Sequence, residues 1–262
     1  MGTFLFDSTI FGPVISRRLG SSLGINLLPN DIKICNFNCI YCECGLTSGA
    51  SARHHQLPSR TLVRKLLTEY LTGRQHPHEK IDTLTFAGNG EPTLHPEFSG
   101  IIDDVLELRN KYVPTVKIAV LSNGTFIHHS DVFNALQKID YNILKLDSLI
   151  NKTQKLINCP QGDHSIKNTI EGFKKFKGKL IIQTMFFRGI YKGISVDNTA
   201  KNELDLLIKA ARDEDPGIRS FAIHSLSQRE ESEALSVITE TAEKDTDKMV
   251  RETARSLLET RR

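Results

Sequence analysis

Three cysteines, Cys35, Cys39 and Cys42, fall in the run Asp31-Ile-Lys-Ile-Cys-Asn-Phe-Asn-Cys-Ile-Tyr-Cys42. Their C-x3-C-x2-C spacing supplies three thiolates, one fewer than a closed four-thiolate site needs. A [4Fe–4S] cluster held this way keeps one iron open, and an open coordination position is what separates catalytic from structural metal sites. Tyr41, just before the third cysteine, carries a flat ring that can cover a ligand at that iron. A second chemistry competes. With Cys44 added, Cys35, Cys39 and Cys42 make a candidate four-thiolate zinc site, although zinc ligands usually come as two pairs across a longer spacer, and no second pair is present. Cys159 is remote in sequence. Five cysteines in 262 residues, an odd number, argue against a disulfide framework.

These groups need a scaffold. Short β-branched runs at Leu23–Leu28, Ile81–Ala87, Val116–Leu121, Tyr141–Leu146 and Lys179–Phe187 alternate with amphipathic stretches. Helices are expected at Ser59–Thr72, Phe98–Lys111, Ser130–Ile139 and Ser165–Phe176, the first capped near Pro58-Ser59 with Leu62, Val63, Leu66, Leu67 and Tyr70 on one stripe. The pattern implies parallel strands with crossover helices, an α/β fold forming a barrel or part of one. Active sites of such barrels lie at the carboxyl ends of the strands.

The unusual residues fall at those ends. Gly88-Asn89-Gly90-Glu91-Pro92-Thr93-Leu94-His95-Pro96 follows the second run. Its glycines allow close backbone approach, and Glu91 can receive an ammonium group. Ser122-Asn123-Gly124-Thr125 ends the third run as an ordinary turn signal. In the fourth, alternation puts Lys145 and Asp147 on one face, either as an ion pair or as cofactor ligands. Gln183 sits among apolar residues of the fifth.

Taken together, the cysteine loop, Gly88–Pro96 and Ser122–Asn123, in that order at consecutive strand ends, resemble the radical S-adenosylmethionine (radical SAM) enzymes. Gly12-Pro-Val-Ile-Ser-Arg17-Arg18-Leu-Gly20 and Ser22-Leu-Gly-Ile-Asn26 make the likeness finer, toward the subgroup related to wyosine-type tRNA-modifying enzymes. It covers residues 10–200. The resemblance implies a [4Fe–4S] cluster on Cys35, Cys39 and Cys42, and S-adenosylmethionine at the open iron. It implies reductive cleavage of that cofactor to a 5′-deoxyadenosyl radical, which takes hydrogen from a substrate the motifs do not name. Gly90 and Glu91 match the element that binds the methionine amino group, with Asn89 where a glycine is usual. Tyr41 would lie beside the adenine, and Ser122, Asn123 and Lys145 would hold the rest. A flavodoxin-like or ferredoxin-like electron donor is implied as partner. Nucleic acid enters by the resemblance alone.

Past residue 198 the chain departs from that pattern. Asp213, Arg219, Ala222 and Leu226 are echoed by Asp245, Arg251, Ala254 and Leu258 at matching offsets, a self-similarity that signals helical repeats. It resembles HEAT repeats and offers a surface for a protein partner. The alternative makes Ile218–Leu226 a sixth barrel strand, so the expected fold is a partial (βα) barrel of five or six parallel strands, residues 1–198, followed by a small all-α repeat segment, 199–262. The rival function is a non-catalytic zinc-binding scaffold carrying that surface. A hydrophobic content of 39% supports a full core, and a net charge of +3 is too weak to argue for nucleic acid. No run reaches membrane-spanning length and no signal peptide opens the chain, which with free cysteines leads to the expectation of a cytoplasmic protein.

Overall fold

The computed structural model describes residues 3–47, 55–73, 80–186, 188–198 and 204–260. Two compact units are formed: Met1–Lys145 with Cys159–His164, and Leu146–Asn158 with Ser165–Arg262.

The first unit holds β1 (Ile10–Ser16), β2 (Gly20–Ile25), α1 (Arg60–Thr72), β3 (Thr83–Phe86), α2 (Phe98–Tyr112), β4 (Lys117–Ser122), α3 (Ser130–Leu136) and β5 (Tyr141–Lys145). β2–β3, β3–β4 and β4–β5 pair in parallel, with Leu23 opposite Leu84, Leu84 opposite Ile118 and Val120 opposite Asn142. Every residue of β3 is buried, as a parallel strand covered on both faces requires. Ile101, Ile102, Val105 and Leu108 form the inward stripe of α2. Ser59 caps α1 by accepting the Leu62 N–H, at the expected position. Val63 and Leu67 are buried there, while Leu62 stays 41% exposed.

The second unit contains α4 (Asn151–Asn158), α5 (Ile166–Lys174), β6 (Ile181–Gln183), β7 (Arg188–Tyr191), β8 (Ile194–Asp197), α6 (Leu204–Ala210), α7 (Pro216–Ser227), α8 (Ser232–Lys244) and α9 (Lys248–Glu259). Strand order in the main sheet follows the chain from β1 to β6, and β7–β8 is a separate hairpin. The sixth member of that sheet is therefore not Ile218–Leu226, which lies inside α7. It is β1, antiparallel to β2. Phe187, the expected end of the fifth run, and 199–203, where the repeat segment was expected to open, lie outside the described residues. Among the described residues, no helix is long and apolar enough to cross a membrane.

Helical repetition is visible bond for bond. Asp215 Oδ1 accepts the Gly217 and Ile218 N–H groups at the start of α7, and Asp247 Oδ1 accepts those of Met249 and Val250 at the start of α9. Asp213 Oδ1 takes the Asp215 N–H and Asp245 Oδ1 that of Asp247. Arg219 donates to the carbonyls of Asp213 and Glu214, and Arg251 to that of Asp245. Arg219 then reaches the next turn, where Nε and Nη2 each meet an oxygen of Asp245 at 2.8 Å. The planar guanidinium suits that two-point contact.

Candidate active site

The cysteine loop leaves the carboxyl end of β2 and passes directly under the turn after β3. Ile34 donates to the Asn89 carbonyl (3.0 Å), and the Ile34 carbonyl accepts the Glu91 N–H (3.0 Å), a parallel bridge between the residue before Cys35 and the glycine turn. Gly90 sits at φ +142°, and a Cβ there would overlap the Ile34 carbonyl oxygen. Glycine is thus needed twice over, for conformation and for the close approach. Asn89 is fully buried. Its side chain accepts the Phe6 N–H (2.8 Å) and donates to the carbonyls of Phe6 and Pro29 (2.8 Å each). That anchoring of the N-terminal segment is a physical reason for asparagine at this position.

Glu91 is buried and ringed by donors. Oε1 accepts from the Thr93 N–H (3.1 Å), the Thr93 hydroxyl (2.6 Å) and the Ser122 hydroxyl (2.8 Å), and Oε2 accepts the Asn123 N–H (2.7 Å). Burial raises its pKa, opposed by these hydrogen bonds. Oε2 retains acceptor capacity, since a carboxylate oxygen has room for about two donors. Asn123 continues the relay. Its side-chain NH2 donates to Asn36 Oδ1 (2.6 Å) and to Cys35 Sγ (3.8 Å), and its Oδ1 accepts the N–H and hydroxyl of Thr125. The Phe37 N–H adds a second donor to Cys35 Sγ at 3.3 Å.

Tyr41 and Lys145 meet as well. Lys145 Nζ donates to the Tyr41 hydroxyl (2.7 Å) and lies 4.9 Å from the ring centroid, tying the loop to the end of β5. Asp147, in the second unit, accepts the Met185 N–H (2.9 Å) and the Asn158 amide. Arg17 and Arg18 occupy the β1–β2 turn, at the amino end of β2 and therefore opposite the cysteine loop.

The thiols are unequal. Cys39 is buried and the other three loop cysteines are half-buried. Burial, helped by the Glu91 charge, pushes the Cys35 thiol up to about 12. Cys42 is lowered to about 5, first by a hydrogen bond from the Cys44 thiol, and Cys44 is raised by the same bond. Cys44 Sγ also lies 3.6 Å from the Gly88 carbonyl. Metal binding at Cys35 must therefore displace a proton. Among the described residues no three His, Cys, Asp or Glu side chains are gathered as they would be around a bound metal ion.

Several participants lacked a sequence signal. Thr93 and Asn36 are ordinary residue types whose roles arise only from contact. Cys159, remote in sequence, belongs to a segment laid against the loop: its carbonyl accepts the Asn38 N–H (3.2 Å), and Gln161 N–H donates to the Asn36 carbonyl (2.8 Å).

Residues 30–224 match the model of the radical SAM superfamily, and residues 196–259 match that of HEAT repeats. A UPF0026 protein of Methanocaldococcus jannaschii is 37% identical over 196 residues, 73% of this chain and 58% of that protein. A UPF0026 protein of Helicobacter pylori is 32% identical over 202 residues, 76% of this chain and 60% of its own length. The chain thus spans about three-fifths of these relatives. A solved radical SAM methyltransferase from Sphaerobacter thermophilus superposes with a TM-score of 0.51 at 12% identity, covering 73% of this chain and 52% of that one, which shows likeness of fold.

Proposed function

The chain belongs to the radical SAM superfamily, and on that premise we propose that Cys35, Cys39 and Cys42 hold a [4Fe–4S] cluster at a site that also binds S-adenosylmethionine. The donor set fits. Three thiols lie on one loop, two N–H groups point at Cys35 Sγ, and a glycine cradle stands over the residue before it. When bound, the cluster and S-adenosylmethionine would supply one-electron radical chemistry for hydrogen abstraction, with the electron coming from an external donor. The chain's own residues bind and orient. Glu91 offers Oε2 to the methionine ammonium, Gly90 keeps that approach open, Ser122 and Asn123 fix the carboxylate, and Lys145 holds the Tyr41 ring. A flavodoxin-like or ferredoxin-like donor is the partner this chemistry requires. The substrate belongs with those of the wyosine-related subgroup in the resemblance of residues 12–26, and the helical repeats serve a protein partner.

One observation carries the reading: Glu91, Asn123 and Cys35, far apart in sequence, are joined in a single relay of hydrogen bonds. The test is anaerobic reconstitution with iron and sulfide, then EPR of the reduced protein with and without S-adenosylmethionine. The expected result is a cluster signal that changes on adding the cofactor, followed by 5′-deoxyadenosine as product. Alanine at Cys35, Cys39 or Cys42 removes the signal, whereas Cys44→Ala keeps it. Stoichiometric zinc, lost on replacing Cys44, would overturn the proposal.

A further inference from the structure

Lys33 stands two residues before the first cysteine and is 4% exposed, the only buried lysine among the described residues. Its Nζ donates to the Gly45 carbonyl (2.8 Å) and to Asn38 Oδ1 (3.4 Å). Asn38 Oδ1 also takes the Thr47 N–H (2.7 Å), and the Thr47 hydroxyl donates to the Cys35 carbonyl (3.0 Å). The ammonium is thus held at the centre of the cysteine loop by neutral acceptors.

The other buried cations differ. Arg219 meets Asp245 at 2.8 Å and Arg229 meets Glu231 at 2.9 Å. No carboxylate lies within ion-pair distance of Lys33 among the described residues, and a buried charge without a counter-charge is costly. Its two acceptors, Asn38 and Gly45, instead bracket Cys39 and Cys42 along the loop.

We propose that Lys33 is the counter-charge of the cysteine loop, a positioning residue whose ammonium offsets the negative charge of a thiolate-held iron–sulfur cluster and raises its reduction potential. The inference rests on the cluster reading above. Three thiolates make the site anionic, and each electron accepted adds negative charge. A fixed cation buried within the cysteine loop stabilises the reduced form more than the oxidised one. It also closes the loop, joining residue 33 to residues 38 and 45.

The experiment is an anaerobic redox titration, followed by EPR, of the reconstituted full chain and its Lys33→Met, Lys33→Arg and Asn38→Asp variants. At equal iron content, Lys33→Met should titrate at a more negative potential, with a roughly tenfold lower reduced-to-oxidised ratio at the wild-type midpoint, about 59 mV for one electron. Lys33→Arg should remain close to wild type. Asn38→Asp keeps the acceptor for Thr47 and sets a carboxylate beside the ammonium, so it should shift the same way; it decides the matter if Lys33→Met takes up no cluster. An unchanged midpoint in a cluster-loaded Lys33→Met or Asn38→Asp protein overturns the inference and leaves the cluster reading intact. A wild-type chain that takes up no cluster overturns both.

Discussion

Asn123 commits every polar atom of its side chain, and its backbone N–H, to the candidate site. Asn123→Ala keeps the main-chain donor to Glu91 and deletes the rest, leaving the half-buried Asn36 Oδ1 without that donor. A loss of about 1–3 kcal/mol in urea unfolding is expected, with faster iron release from reconstituted protein. Asn123→Asp should be worse, because it sets a carboxylate against the Asn36 oxygen. A stability and iron retention equal to wild type in both variants would contradict the relay. At this scale the sequence was informative about types and silent about partners. Cysteine spacing and the glycine–glutamate turn stood out because few residues can do what those positions need. Asn36 did not, since side-chain hydrogen bonds across dozens of residues leave no local pattern, and neither did Thr93 and Lys33, ordinary residue types whose nearer partners form no recognised motif.

Helix pairs are where charge acts on stability. Arg60 on α1 meets Asp104 on α2 through Nε at 2.7 Å and Nη2 at 2.8 Å, and Arg64 joins Asp104 to Glu107. The Arg60 hydrogen bonds hold the Asp104 carboxyl below the usual range, against burial. A depressed folded pKa contributes stability above the unfolded value, about 3.9, and that contribution disappears as pH falls through the lower folded value. Asp104→Asn should therefore lose roughly 1 kcal/mol at neutral pH, modest because both arginines are well exposed. It should also flatten the decline of stability with acid below about pH 4; an unchanged acid limb in chemical unfolding would contradict this. Elements with inward apolar stripes, β2 to β5 and α1 to α3, were legible in the chain for the same reason that they pack. β1 was not, because Pro13 interrupts it and Val14 and Ile15 face outward, 47% and 83% exposed. Nor was the β7–β8 hairpin, whose Ile190 and Ile194 are exposed and whose turn, Lys192-Gly193, has positive φ at a lysine. α4 is hidden by its polar composition, Asn151-Lys-Thr-Gln-Lys-Leu-Ile-Asn158.

Across the whole molecule, the chain joins two kinds of order: a sheet whose loops carry the candidate chemistry, and an array whose turns copy one another. The second was readable because a bond pattern that recurs in space must recur in sequence. It also makes the array editable in whole units. Duplicating residues 213–244 after Lys244 would give Arg219 a copied Asp213 to grip, while the copied Arg219 would grip Asp245, so each turn keeps its cap and its clasp. Nearest-neighbour stacking of this kind adds stability unit by unit. The lengthened chain is expected to melt, by calorimetry, no lower than the original, and an insert two residues shorter should melt lower. The repeat segment is in that sense a ruler, and its length can be set in increments of one module of a turn and two helices.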